Sequence, residues 1–497
     1  MKEKREDSYG HVLKYTGIFG GVQGLNILIG LVRNKVVAYL LGPGGMGLIA
    51  LFNSTVAFIS QATNLGISFS AVRHVSELFD SGDEERIAHF IQVVRAWSLV
   101  TALVGMLVCA VLGPMLSNMT FSWGDHTLHF VFLSLAVGLM AISGGEMAIL
   151  KGARQLKSLA VIQLVNVFVS LIVSIPLFYF FSQTAIVPVI VLMALSSALL
   201  TMWHSYRLYP LHFSGQHGIL GEGMGMVRLG VAFVAAGILG SGAEMVVRSY
   251  LNVTADLDMV GFYNAGFVLT VTYAGMVFSA METDYFPRLS AVYANREEAN
   301  VMVNRQIEVS LLIVSPMLCA LIVALPVLIP LLYSRDFLPV TAMAQVAVFS
   351  MYIKAVSLPI SYLTLARGDS MAFLIIEGLD SVLLVVFMIA GFNLLGLFGT
   401  GLALVVSYLI DALLVYVYTS VYYGYRVSSP VLQYLAIQLL LGIAVYILTF
   451  IDNQFVYWSV GVIISIVSLA FSLHVLHQKT SLWMTLVNKM KSRLLHH

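Results

Sequence analysis

Apolar stretches of about 20 residues, long enough at 1.5 Å rise per residue to cross a bilayer as helices, follow one another from end to end of this chain. The spans read as 12–41, 45–71, 91–116, 128–150, 159–181, 186–206 and 226–251, then 260–286, 310–333, 340–365, 371–392, 397–422, 431–451 and 455–476. That is about fourteen helices, so the fold class is all-α and polytopic. With 59% hydrophobic and only 10% charged residues, against the roughly one quarter charged in a soluble domain, a water-soluble fold is excluded. No polar block remains for a separate soluble domain.

The net charge of +1 gives no reason to expect nucleic acid as a partner. The opening MKEKREDSYG lacks the short apolar core and small-residue cleavage site of a removable signal peptide, so the first helix is expected to direct its own insertion. Cys109 and Cys319 lie in apolar runs and read as small buried hydrophobes rather than disulfide partners or metal ligands.

Lys and Arg set the expected orientation, because short basic loops stay in the cytoplasm. Alternate loops carry Arg73 and Arg86, then Lys151, Arg154 and Lys157, then Arg207 and Arg228, then Arg288, Arg296 and Arg305, then Arg367 and Arg426. The intervening connections 117–127, 182–185 and 452–454 carry neither residue, and Arg335 stands alone in its loop. Both termini are therefore expected in the cytoplasm.

The chain also repeats itself. LVRNKVVAYLLGPGGMG around Arg33 parallels VVRSYLNVTADLDMVG around Arg248, and forty positions beyond each arginine stands another, Arg73 and Arg288. AILKGARQ at Lys151 matches TLARGDS at Arg367 with nearly the same offset. The expected organisation is an N-terminal six-helix bundle (1–210), a C-terminal six-helix bundle (221–426), two further helices (427–480) and a cytoplasmic amphipathic tail (481–497). Both bundles begin on the same side, so the repeats are parallel, with substrate passing between the halves.

Ionisable groups at membrane depth cost about 2.5–3.5 kcal/mol each on insertion scales and therefore call for a function or a partner. Gln23, Asn26, Gly30 and Arg33 form one polar helical stripe; Gly237, Ser241, Glu244 and Arg248 form another. Both stripes are expected to face the cavity between the bundles, with snorkelling to headgroups as the alternative for Arg33, Lys35 and Arg248. Lys354 lies mid-span in the tenth helix and needs a cavity or a carboxylate; Asp411 in the twelfth is similarly deep, and Asp380 and Glu377 lie in the cytoplasmic half of the eleventh, leaving ligand binding and a structural ion pair both open.

Asn53, Gln61, Asn64 and Ser68, with Tyr263, Asn264 and Tyr273, are candidates for a polar lining, helix packing being the alternative for each. Glu146, Glu282 and Asp411 are candidates for H+ or Na+ coupling, against a surface role for the two glutamates. GPGGMG and GEGMGM lack a nucleotide-binding context and no GxxxxGK[ST] occurs, so no ATP and no other cofactor is expected. Asp125, His126 and His129 read as a helix cap with solvated histidines, not as a metal site, and no catalytic constellation is present.

KVVAYLLGPGGMGLIALFN, NLGISFSAVRHVSE and GFYNAGFVLTVTYAGMVFSAMETDYFPRLS resemble the multidrug/oligosaccharidyl-lipid/polysaccharide exporter superfamily, and within it the Wzx-type polysaccharide flippases. The resemblance covers most of the chain. It implies a flippase, not an enzyme, that moves undecaprenyl-diphosphate-linked oligosaccharide for O-antigen or capsule biosynthesis. Its partners would be that lipid-linked oligosaccharide and membrane lipid, with a polysaccharide polymerase and chain-length proteins alongside.

LIGLVRNKVVAYLLG is similar to the first helix of the lipid II flippases, which implies a place for Arg33 in a cationic cavity. AFISQATNLG lacks their second-helix arginines, which argues against lipid II. A diphosphate is an anion that a desolvated arginine fork can bind. A cation-coupled multidrug antiporter of the same superfamily is the alternative and should have an acidic cavity. A polymerase or ligase should have a large periplasmic loop, whereas the loops here are short.

Overall fold

The computed structural model describes residues 2–81, 83–121, 124–210 and 219–479; the expected amphipathic tail at 481–497 lies outside them. No strand occurs among the described residues. Among the described residues ten helical runs are long and apolar enough to cross a membrane, and three of them, at 40, 52 and 54 residues, are long enough to cross twice. Counting those three as hairpins and adding the 31-residue helix Met224–Thr254 gives the fourteen spans read from the sequence.

The first run, Lys2–Thr63, breaks at Gly42 (φ 66°, ψ −172°) into α1 (2–41) and α2 (43–63). Only glycine enters that backbone region without strain, and Pro43 begins the new helix where its missing N–H costs nothing. There follow α3 (Glu84–Val111), α4 (Thr127–Gly152), α5 (Leu156–Phe181), α6 (Ile186–Leu208) and α7 (Met224–Thr254). Next come α8 (257–292), which includes a π-helical turn at Val268–Thr272, α9 (Arg296–Leu332) and α10 (340–366). The run Ser370–Tyr418 breaks at Gly396 into α11 and α12; α13 (Ser429–Leu448) and α14 (Gln454–Lys479) complete the series.

Two of the three stretches that carry the family resemblance are places where the backbone leaves the helix. LGPGGMG contains the Gly42 break, and Gly47 within it packs on the backbone of α8: an added Cβ would lie 2.0 Å from Leu257 O. Its repeat-related counterpart, Gly261, meets Pro43 O at 2.1 Å in the same way. NLGI is a second break, with Leu65 (φ 51°) and Gly66 (φ 73°) separating α2 from the helix Ile67–Ser81. Asn64 bridges it by donating to Ser68 Oγ at 2.8 Å.

The contacts divide the chain into two compact units, Met1–Phe262 with Leu331–Asp336, and Tyr263–Pro330 with Phe337–His497. The repeat assigned the seventh helix to the second bundle, but α7 packs in the first unit, with Gln61 over Gly237 and Phe58 over Gly242. Sequence kinship records how the halves arose; compactness records which helix faces fit.

In the second unit α9 carries Pro316, Pro326 and Pro330. Pro326 has no N–H for the carbonyl four residues back. Gln345 donates to Ile322 O (3.3 Å) and Tyr457 of α14 donates to Val323 O (2.9 Å), closing the gap. Gln438 on α13, fully buried, holds α14 through Ser468 and Ser472. The two helices outside the repeat are thus fastened by polar groups, as expected where lipid removes the hydrophobic drive for helix association.

Candidate functional site

In the first unit Arg33 lines a cleft of about 430 Å³ together with Asn53, Ser170, Phe178, Met140 and Met193, contributed by α1, α2, α4, α5 and α6. Its Nε donates to Ser174 Oγ at 3.2 Å. Ser174 is fully buried and donates in turn to Ser170 O, so its hydroxyl oxygen is oriented to accept from the guanidinium. Arg33 is therefore tied to α5 within its own unit.

Arg248, 6% exposed, forms an ion pair with Glu244 one turn back (2.8 Å) and also donates to Glu244 O. Its charge is matched within its own helix. Asn252, one turn further, donates to Thr120 O at 2.7 Å and ties α7 to the connection after α3.

The other polar candidates of the first half are dispersed. Asn26 Oδ1 is buried without a hydrogen bond among the described residues. The side chain of Gln23 lies outside the description. Lys35 is half-buried, Gln61 is an exposed residue covering Gly237, and Asn64 serves the NLGI break.

Glu146 has a partner that the sequence did not reveal. Arg95 on α3 donates to it from Nε (3.0 Å) and Nη2 (3.5 Å), with side chains 9% and 3% exposed. Arg95 Nη2 also donates to Ser205 Oγ at 3.2 Å, and its guanidinium lies 4.3 Å over the Tyr206 ring. Neither a coupling site nor a surface residue, as the sequence suggested, is what this geometry resembles: it is a buried cross-link of α3, α4 and α6. Close approach of α3 and α4 creates it, since a Cβ on Gly145 would sit 1.9 Å from Ser98 Oγ.

The second unit holds a polar cluster around Lys354 on α10. Its Nζ lies 5.4 Å over the ring of Tyr408, and Glu282 and Glu377 act on its charge. Asp411 is bonded to Ser357 and interacts with Asp380, Glu377 and Lys354. Ser407 donates to Asp380 at 3.4 Å, and Tyr362 to Glu282. One cation thus stands among four carboxylates, with two serines and two tyrosines as hydrogen-bond partners. Asn264, on α8, is half-buried.

Just before a helix start in the first unit, Asp125 Oδ1 accepts from Thr127 N (2.9 Å) in an Asx-type turn, while the N-cap position itself is His126 with no side-chain cap bond; the Asp125 bond holds its carboxyl below the usual range. His126 is 8% exposed and packs on Phe121 at 4.1 Å, so it is buried rather than solvated. Among the described residues no group of metal-ligating side chains comes together.

The sequence profile described as "Polysaccharide biosynthesis protein" matches residues 36–342. No curated protein matches the chain. Among solved structures, the lipid II flippase MurJ in an inward closed conformation is similar with a TM-score of 0.67 at 13% identity, over 93% of this chain and 99% of that one. An inward-facing multidrug resistance MATE family transporter of the MOP superfamily gives 0.66 at 14% identity, over 80% and 94%. A MATE transporter from Vibrio cholerae gives 0.59 at 12% identity, over 84% and 96%. The chain, a multi-pass membrane protein with the fold of MurJ and the MATE transporters, belongs to the polysaccharide biosynthesis protein family.

Proposed function

We propose that the protein is a flippase that carries undecaprenyl-diphosphate-linked oligosaccharide repeat units from the cytoplasmic to the periplasmic leaflet by alternating access, for O-antigen or capsule assembly. It works in the bacterial inner membrane with both termini in the cytoplasm. Family membership supports a polysaccharide pathway. The observation that carries the reading is Arg33, within a run apolar enough to span a membrane, lining a cleft with Asn53 and Ser170, with Ser174 holding its Nε. A planar guanidinium fixed in this way offers parallel donors to a diphosphate that has shed its water.

Transport runs without ATP and draws on H+ or Na+ at the carboxylates around Lys354, Asp411 and Glu282 foremost. Glu146 is left out of this role because Arg95 occupies it. A polymerase and chain-length proteins receive the delivered units.

The test replaces Arg33 by Ala and by Lys in a host lacking its own flippase. Surface polymer should fall strongly with Ala and partly return with Lys, while both variants reach the membrane in normal amount. Unchanged export with Arg33→Ala removes the assignment.

One observation favours a second reading, a cation-coupled multidrug antiporter: the four carboxylates around Lys354 are the kind of surround that suits cationic cargo. Drug efflux from vesicles holding purified protein discriminates, since a lipid-linked oligosaccharide flippase leaves drug retention unchanged.

A further inference from the structure

A second basic cleft lies away from Arg33, on the outside of the α5–α6 hairpin. It measures about 280 Å³ and is lined by Lys157, Ser158, His204, Arg207, Trp203 and Leu208. Lys157 stands in the first turn of α5 and Arg207 in the last turn of α6, so the antiparallel hairpin brings both charges to one end of the bundle. The positive-inside rule assigns that end to the cytoplasm. Among the described residues no carboxylate lines the cleft.

Three details point to an anion. Gln155 supplies no side-chain cap to α5, so the first-turn amides beside Lys157 add their partial positive charge to the cleft. His204 Nδ1 is spent on Leu200 O at 2.9 Å, which leaves Nε2 as the ring's other polar atom. Lys157 and Arg207 are both exposed.

A fourth detail identifies what the anion is attached to. From the cleft an exposed apolar stripe runs along the same two helices: Phe168 (48%) and Ile172 (67%) on α5, Leu195 (38%), Leu199 (57%) and Trp203 (62%) on α6. A free phosphate or an acidic peptide makes no use of such a rail. Trp203 stands between stripe and cleft, at the headgroup level where indole rings settle.

We propose that this cleft binds an anionic glycerophospholipid, its phosphate between Lys157 and Arg207 and its acyl chains along the α5–α6 stripe. A single hydroxyl, Ser158, gives the cleft no means to read an oligosaccharide, so the ligand is a resident lipid and not the cargo. The site stands independently of the flippase reading, and its test contains no cargo.

The purified full chain is reconstituted in mixed phosphatidylcholine and phosphatidylglycerol vesicles free of polyprenyl lipid, re-extracted, and its retained lipids counted by native mass spectrometry. Wild type should retain phosphatidylglycerol in preference to phosphatidylcholine. Lys157→Gln with Arg207→Gln should lower that retention by about tenfold or more. The swap Lys157→Arg with Arg207→Lys should keep it, as should Arg73→Gln with Arg86→Gln, which removes exposed charges elsewhere. Each glutamine variant is checked for an unchanged elution profile. Equal retention of the two lipids by wild type, undiminished retention by the Lys157/Arg207 pair, or an equal loss with the Arg73/Arg86 pair overturns the site.

Discussion

Replacing Glu146 by Leu is the most exposing test of the first unit, because it separates a structural cross-link from an ion-coupling group at one residue. Arg95 and Glu146 are 9% and 3% exposed, so removing the carboxylate strands a guanidinium that cannot turn to water. Breaking one side of such a buried pair costs about 3–5 kcal/mol. The remaining bond to Ser205 and the Tyr206 ring recover only a fraction of this, on the order of 1–2 kcal/mol.

Exchanging both partners for apolar residues of similar volume, Arg95→Met with Glu146→Leu, removes the stranded charge as well. The double variant should therefore be near wild type, well short of the sum of the single losses. Unfolding in mixed micelles titrated with sodium dodecyl sulfate reads all four corners of the cycle. If Glu146→Leu alone unfolds within about 0.5 kcal/mol of wild type, the cross-link is not what the geometry says it is. A Glu146→Gln protein that keeps its stability but loses the ion dependence of transport would return Glu146 to the coupling site.

Two further outcomes follow from particular contacts. Gly47→Ala places a Cβ 2.0 Å from Leu257 O, a backbone atom that cannot rotate away, and should cost about 1–3 kcal/mol in the same unfolding assay, whereas wild-type stability would disprove the close approach of α2 and α8. Asp369, outside the spans, accepts from Tyr423 (2.7 Å), Tyr418 (2.8 Å) and Ala372 N (3.2 Å), which hold its carboxyl below the usual aspartate range. A depressed folded-state pKa adds stability that is present above the unfolded value and lost as pH falls through the folded one. The stability gap between wild type and Asp369→Asn should thus be constant from neutral pH down to about 5 and shrink steadily as pH falls further; a gap that is as large at the lowest pH where the protein stays folded as at neutral pH assigns the effect to something other than ionisation.

The spans were legible because hydropathy is a local property: each run of apolar residues announces its crossing without reference to any other part of the chain. The break at Gly42 was legible for a related reason, since its positive φ is a demand that glycine and the following proline state in the sequence, whereas the break at Leu65 and Gly66 falls inside 45–71, which reads as one span. The repeat showed that Arg33 and Arg248 occupy related positions. It did not show that one binds Ser174, 141 residues away, while the other pairs with Glu244 in its own helix.

Pairing of that kind depends on the rotation of each helix about its axis and on how closely its neighbours approach. Small residues set both: Gly145 against Ser98 lets α3 and α4 come near enough for Arg95 to reach Glu146. The sequence by itself determined that this chain crosses a membrane about fourteen times in two related sets, because that follows from the free energy of moving each segment from water to lipid. Which buried charge meets a partner and which lines a cleft was decided only in the tertiary structure, because a partner is chosen by geometry across helices that the linear order leaves unspecified.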